Sequence, residues 1–384
     1  MVALLAALMG GSVAVSQTVV SAAWSGAAVP LASPAADCAA AVLASLTESQ
    51  RIGQLFMLGF GDQLDSAERA AIAESHLGSL TYTTRTAAGV LAVHATVDAI
   101  QAQATLAATG NVGFLIAANQ EGGLIQTLSG PGFEVIPTAL SQGKLRPSVL
   151  KASAARWGAQ LGDAGLNLDF APVADVVPPG TAAGNAPIGQ LKREFGHTPA
   201  VVSTHVKAFI AGMRRAGIAT TVKHFPGLGR VRGNTDFTAA VTDSVTTRHD
   251  AFLTPFATAI DAGVPFVMVS LATYDRIDPA HLAAFSPTII KGMLRGDLGF
   301  RGVVISDDLA AAAVASMSPA TRAIEFVRAG GDMITVTRLG LARKMVRALA
   351  SRASRSPSFH TRIDEAALLV LRAKETLRLL PCGG

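Results

Sequence analysis

A chain of 384 residues that is 50% hydrophobic, 15% charged and 5% aromatic can bury a large aliphatic core, which excludes a disordered chain. Its formal net charge of +5 is modest, and no Lys/Arg run is interleaved with aromatics, so nucleic acid is not expected as a partner. The length fits one large domain or two ordinary ones.

The first 36 residues hold no Lys, Arg, Asp or Glu. Met1 to Val15 is almost entirely Ala, Leu, Val, Gly and Met, and the small residues Ser21-Ala22-Ala23 and Ser33-Pro34-Ala35-Ala36 follow. This is the pattern of a secretory leader with a small-residue cleavage region, although no basic residue precedes the apolar stretch. Gly10, Gly11, Ser12, Ser16 and Gln17 interrupt that stretch, which argues against a stable membrane span. Residues 1–36 are therefore expected to be a leader, and 37–384 a mature domain that is secreted or associated with the cell envelope. The chain has two cysteines, Cys38 and Cys382, at the two ends of that domain. In an exported chain they suggest a disulfide tying the termini, with free thiols as the alternative. Asp37 immediately before Cys38 disfavours lipid attachment there.

Thr47 with Gln50 three residues on reads as a capping box opening a helix. Short apolar runs then recur at 55–60, 77–81, 112–117, 166–171, 218–222, 265–269, 302–305 and 332–336. Continuous rather than alternating apolar runs are typical of parallel strands covered on both faces. Ala-rich amphipathic stretches lie between them, among them 199–216 and 319–329, and a final helix is expected over 365–380. Strand and helix alternating through the chain predict a single-domain (β/α)8 barrel of the TIM type. The Pro/Gly-rich stretch 176–189 reads as a long loop at the barrel mouth.

Polar residues stand where two of these runs end. Lys223-His224 closes the run that begins at Gly217, and a Pro/Gly loop then leads to Asn234-Thr235-Asp236. Ser306-Asp307-Asp308 closes the run that begins at Gly302. The C-terminal ends of barrel strands form the mouth where such folds carry their chemistry. Carboxyl groups on two strand ends suit nucleophilic and acid/base work on a glycosidic bond. Taken alone, Ser306-Asp307-Asp308 reads better as the N-cap of a helix starting near Leu309, with Asp307 as the cap.

The chain resembles glycoside hydrolase family 3. The resemblance rests on Lys223-His224-Phe225-Pro226-Gly227-x-Gly229, Ser306-Asp307-Asp308-Leu309, Gln120-Glu121-Gly122-Gly123 and Leu168-Asp169-Phe170-Ala171-Pro172-Val173-Ala174-Asp175-Val176, with Ala329-Gly330-Gly331-Asp332-Met333 in support. These motifs stand in the family's order across residues 46–340, and the compact length resembles the single-domain bacterial β-N-acetylglucosaminidase branch. The resemblance implies Asp307 as nucleophile and Lys223, His224 and Arg193 as contacts to sugar hydroxyls. Asp175 would order its loop or the sugar. No metal or cofactor is implied.

Two positions depart from the family pattern. The branch carries an Asp-x-His dyad where this chain has Asn234-Thr235-Asp236. Asp236 is therefore expected to serve as acid/base if burial or Asp307 raises its pKa, with Asn234 orienting it; Asp243 and His249 are the second candidates. Asn119 stands where the family usually has an Asp that grips hydroxyls, and Leu124 where Arg is common. The expected activity is that of a retaining exo-β-N-acetylglucosaminidase, a monomer acting on GlcNAc-containing, peptidoglycan-derived glycans. A phosphorylase, a β-glycosidase of other specificity, and a catalytically impaired sugar-binding barrel are the alternatives.

Overall fold

The computed structural model describes residues 37–382; the expected leader lies outside them. Helices α1 (Cys38–Ser45) and α2 (Glu48–Gln54) come first, and the Thr47/Gln50 capping box is present in full. Strand and helix then alternate: β1 (Phe56–Phe60), α3 (Ser66–Ser75), β2 (Ser79–Tyr82), α4 (Val90–Gln101), β3 (Leu115–Ala118), α5 (Pro147–Asp163) and β4 (Leu168–Asp169). The second half continues with α6 (Pro199–Arg215), β5 (Ala219–Phe225), α7 (Thr254–Asp261), β6 (Phe266–Val269), the π-helical segment Thr288–Asp297 and β7 (Val303–Ser306). Then come α8 (Pro319–Ala329), β8 (Ile334–Val336), α9 (Leu339–Ala353) and α10 (Pro357–Thr376).

The eight strands run parallel in sequential order, with β1 pairing both β2 and β8. A parallel bridge between Ile305 and Met333 joins β7 to the entry of β8 and closes the barrel. The apolar runs split by alternation, as the two-residue strand period requires. Met57, Leu115, Ala117, Leu168, Phe266, Met268, Val303 and Ile305 fill the barrel interior. Their neighbours Phe56, Leu58, Ile116, Val267 and Val304 join the larger layer between sheet and helices.

The last helix starts at Pro357, eight residues before the expected Glu365, because Ser356 caps it and Phe359, Ile363, Ala366 and Val370 already face the core. It plugs the floor of the barrel: Val370 and Ala373 pack with the interior cluster. Lys374 Nζ donates to Gln54 Oε1 and to the carbonyls of Gly78 and Gly113 at 2.6–2.9 Å. Cys38 and Cys382 are disulfide-bonded, 344 residues apart, beside this plug. No helix among the described residues is long and apolar enough to cross a membrane.

Candidate active site

The C-terminal strand ends enclose a cavity of about 490 Å³, lined by Asn119, Arg193, Lys223, His224, Asp236 and Asp307 among others. β5 delivers Lys223 and His224 to it from the end of a fully buried strand; the peptide between them is cis. The loop that follows is steered by two glycines. Gly227 has φ +133°, which disfavours side chains, and a Cβ on Gly229 would stand 1.9 Å from the Val176 carbonyl oxygen. Both glycines of the Phe-Pro-Gly-x-Gly motif are thus required for the loop to pass the neighbouring strand end.

One corner of the cavity is an ionic knot. Arg193 donates to both carboxylate oxygens of Glu121, at 2.7 and 2.8 Å, and Lys223 Nζ lies 2.6 Å from Glu121 Oε1. Lys223 also donates to Asn119 Oδ1 at 2.6 Å. Burial works to raise the Glu121 pKa, but the charges and hydrogen bonds of Arg193 and Lys223 prevail and hold it at about 2. Burial likewise works to lower the Lys223 pKa, against the opposing pull of Glu121. Asp169 lies beneath the knot, accepting a hydrogen bond from the Gln120 amide at 3.0 Å, and burial pushes its pKa up to about 7.

A second buried unit orients His224. Its Nδ1 stands 2.7 Å from Asp175 Oδ2, while Asp175 Oδ1 accepts from the amides of His224 and Leu228 at 3.2 and 2.7 Å. Asp175 is completely buried and does not line the cavity, so it fixes the His224 ring and the start of the Pro/Gly loop rather than meeting a sugar itself. With Nδ1 donating to the carboxylate, Nε2 is directed past Arg193, 3.5 Å away.

Asp307 and Asp236 complete the cavity wall. Asp307 ends β7, and its Oδ1 accepts only the neighbouring Asp308 amide, at 2.9 Å. No helix begins directly after it, so it is not an N-cap. The structural task falls to Asp308, which accepts from the Ala310 amide at 2.8 Å and from Thr337 through both its amide and hydroxyl. Asp236 is exposed toward the open cavity. The surrounding protein still desolvates its carboxyl, and this, followed by the charge of Asp307, raises its pKa. Asn234 Oδ1 accepts the Asp236 backbone amide at 3.0 Å, so it shapes the turn and does not touch the carboxyl. The Asp236 loop is docked onto the segment after Asp307 by Ala312 N to Asp236 O, 3.2 Å, and Ala313 N to Thr235 O, 3.1 Å.

The second candidates are employed elsewhere. Asp243 is buried in a turn, accepting from Val245, Thr246 and the Thr246 hydroxyl, and His249 lines a different depression with Arg248 and Asp297. Glu121 and Asp169 carry no assigned role in the sequence reading. Both sit inside quoted motifs, yet the partner of Glu121 is 72 residues away and only the closed barrel joins them. Among the described residues no three His, Cys, Asp or Glu side chains converge as a metal site requires.

Residues 47–373 match the glycosyl hydrolase family 3 N terminal domain. The chain belongs to glycosyl hydrolase family 3. It is 49% identical to a β-N-acetylhexosaminidase from Beutenbergia cavernae DSM 12333, whose solved structure superimposes with a TM-score of 0.85 over 86% of this chain and 99% of that one. It is 30% identical to a family 3 β-N-acetylglucosaminidase from Paenibacillus sp. str. FPU-7, with a TM-score of 0.78 over 87% of this chain and 63% of that one. A β-hexosaminidase from Stenotrophomonas maltophilia (strain K279a) is 35% identical over 264 residues, 66% of this chain and 76% of that protein. As a family 3 glycoside hydrolase, the chain has its barrel mouth and cavity where the family's strand-end motifs lead.

Proposed function

We propose that this family 3 chain is a retaining exo-β-N-acetylglucosaminidase that removes terminal GlcNAc from peptidoglycan-derived glycans outside the cytoplasm. The observation that carries the mechanism is that Asp307 and Asp236, from different strand-end loops, face one cavity and are electrostatically linked. In the first step an Asp307 oxygen attacks the anomeric carbon. Protonated Asp236 gives its proton to the glycosidic oxygen as that bond breaks, leaving a glycosyl ester on Asp307. Esterification removes the negative charge that raises the Asp236 pKa, so Asp236 becomes a better-matched base for the water of the second step. That water attacks the anomeric carbon, and Asp307 departs as carboxylate. The Glu121-held Lys223 and Arg193 supply charge-assisted donors to sugar hydroxyls, and His224, its Nδ1–H held by Asp175, offers Nε2 as a directional acceptor. With Asn119 Oδ1 engaged by Lys223, its amide NH2 is left as donor.

The N-acetyl preference is supported by the hexosaminidase names of the relatives. The export reading is supported by the charge-free first 36 residues and by the disulfide, a bond that persists in oxidising compartments. A panel of aryl β-glycosides tests the assignment. The β-GlcNAc member is expected to be turned over fastest, with Asp307→Ala reduced to background and a fluorinated sugar trapped on Asp307. The first-formed product by NMR is expected to be the β-anomer; an α-anomer would overturn retention.

A further inference from the structure

On the flank of the barrel, away from the mouth, a second cavity of about 330 Å³ lies where the π-helical segment, α8 and the α9–α10 junction meet. Arg328, Arg352, Lys291 and Arg362 line it, against one acid, Glu365. Its floor is tied to the N-terminal end of β8, because Arg362 donates to Gly331 O and Asp332 Oδ1 at 2.9 and 2.5 Å. Asp332 is fully occupied there, since Arg295 takes its other oxygen at 2.5 Å. Glu325 meets Arg328 at 3.1 Å, and Glu365 stands 3.7 Å from Arg362. Lys291 and Arg352 have no carboxylate partner among the described residues, and Arg352 Nε is buried with no hydrogen-bond acceptor. The rest of the Arg352 guanidinium is partly exposed and, with Lys291, faces the cavity without a countercharge, which favours an anionic occupant.

The surroundings add to that preference. From Lys344 to Arg355, the stretch that leads into the cavity wall at Arg352, the chain carries Lys344, Arg347, Arg352 and Arg355 and no Asp or Glu. The cavity also takes in the start of α10, a 20-residue helix whose first turn has no acid and whose Ser356 and Ser358 hydroxyls line the wall. Helix N-termini and arginine forks both favour tetrahedral oxyanions. A single carboxylate would satisfy one guanidinium and leave the other cations crowded.

We propose that this flank cavity binds a phosphate group, carried either by a small phosphate or by a phosphodiester polymer, independently of the glycosidase site. Calorimetric titration of the full chain with inorganic phosphate, and separately with an oligomeric glycerol phosphate, tests it at constant ionic strength. One phosphate per chain is expected, and the Lys291→Ala/Arg352→Ala double variant should bind at least about tenfold more weakly, as loss of charged hydrogen bonds implies. Equal affinity for both probes assigns a small phosphate; tighter binding of the oligomer assigns the polymer. Circular dichroism checks that the double variant is folded, and Arg352→Gln alone serves if it is not. Absence of binding of both probes at millimolar concentration, or unchanged binding by a folded variant, would overturn the proposal.

Discussion

The Glu121 carboxylate meets Arg193 through both oxygens and Lys223 through one; Glu121 and Lys223 are buried, and only Arg193 keeps a partly exposed edge at the cavity. Glu121→Gln would keep the shape and remove the charge, leaving two buried cations short of a counter-ion. Breaking such a buried pair typically costs about 3–5 kcal/mol. Urea unfolding should show a loss of that order, with KM raised more than kcat lowered if the two cations grip ground-state sugar. Because the folded pKa of about 2 lies below the usual 4.5, this stability is present above pH 4.5 and is lost as pH falls toward 2; the Gln variant should lack that acid dependence. Asp236→Ala should lower activity by about 10²–10⁴-fold on sugars with poor leaving groups and much less on activated aryl glycosides. It should also remove the alkaline limb of the kcat/KM profile, since the raised Asp236 must be protonated to act. Equal losses on both substrate classes would count against the acid/base role. The two acids that face the cavity were legible because Asp307 directly follows a strand-like run, while Asp236 stood out at the end of the Pro/Gly loop by replacing an expected imidazole. Glu121 was not, because nothing local reveals a partner 72 residues distant. Asp175 was legible as ordering either its loop or the sugar, and its burial against His224 and the Leu228 amide favours the loop.

At the scale of elements, the strand runs were read from continuous apolarity, and all eight became barrel strands. β4 shrank to Leu168–Asp169 because the chain leaves the sheet ahead of Pro172, which has no amide to donate to a ladder. The small paired strands, Gln120–Gly122 with Ile125–Gln126 and the set around Thr273–Tyr274, escaped notice because two to five residues are too few for a period to show. The helix plugging the floor carries a consequence of its own. Burial lowers the Lys374 pKa to about 7, from an ordinary 10.5, while three carbonyl oxygens hold the ammonium. Between those two pH values the unfolded chain binds more protons than the folded one, so stability rises with pH across that window. Denaturation of wild type and Lys374→Met from pH 6.5 to 9.5 should show the difference moving in favour of wild type by on the order of a few kcal/mol. A pH-independent difference would show that the ammonium is fully compensated where it sits.

For the molecule as a whole, the Cys38–Cys382 bond spans 344 residues and so constrains nearly the entire described chain when unfolded. Loop-closure entropy grows only logarithmically, and native disulfides commonly contribute about 2–4 kcal/mol. Cys38→Ser/Cys382→Ser should unfold at lower urea by that margin while kcat and KM on an aryl glycoside stay as in wild type, because the bond lies on the floor and the cavity at the mouth. An unchanged midpoint would mean that α1 and the plug hold the ends without covalent help. The same placement decides how the enzyme can be mounted. α1 packs on Val112, Leu371 and Leu380, and the Gly113 amide meets Leu379 O below β3, so both ends of the folded barrel leave from the side opposite the catalytic opening. Coupled to a bead or an electrode through either end, the protein would stand mouth outward, its cavity open to whatever sugar the solution brings.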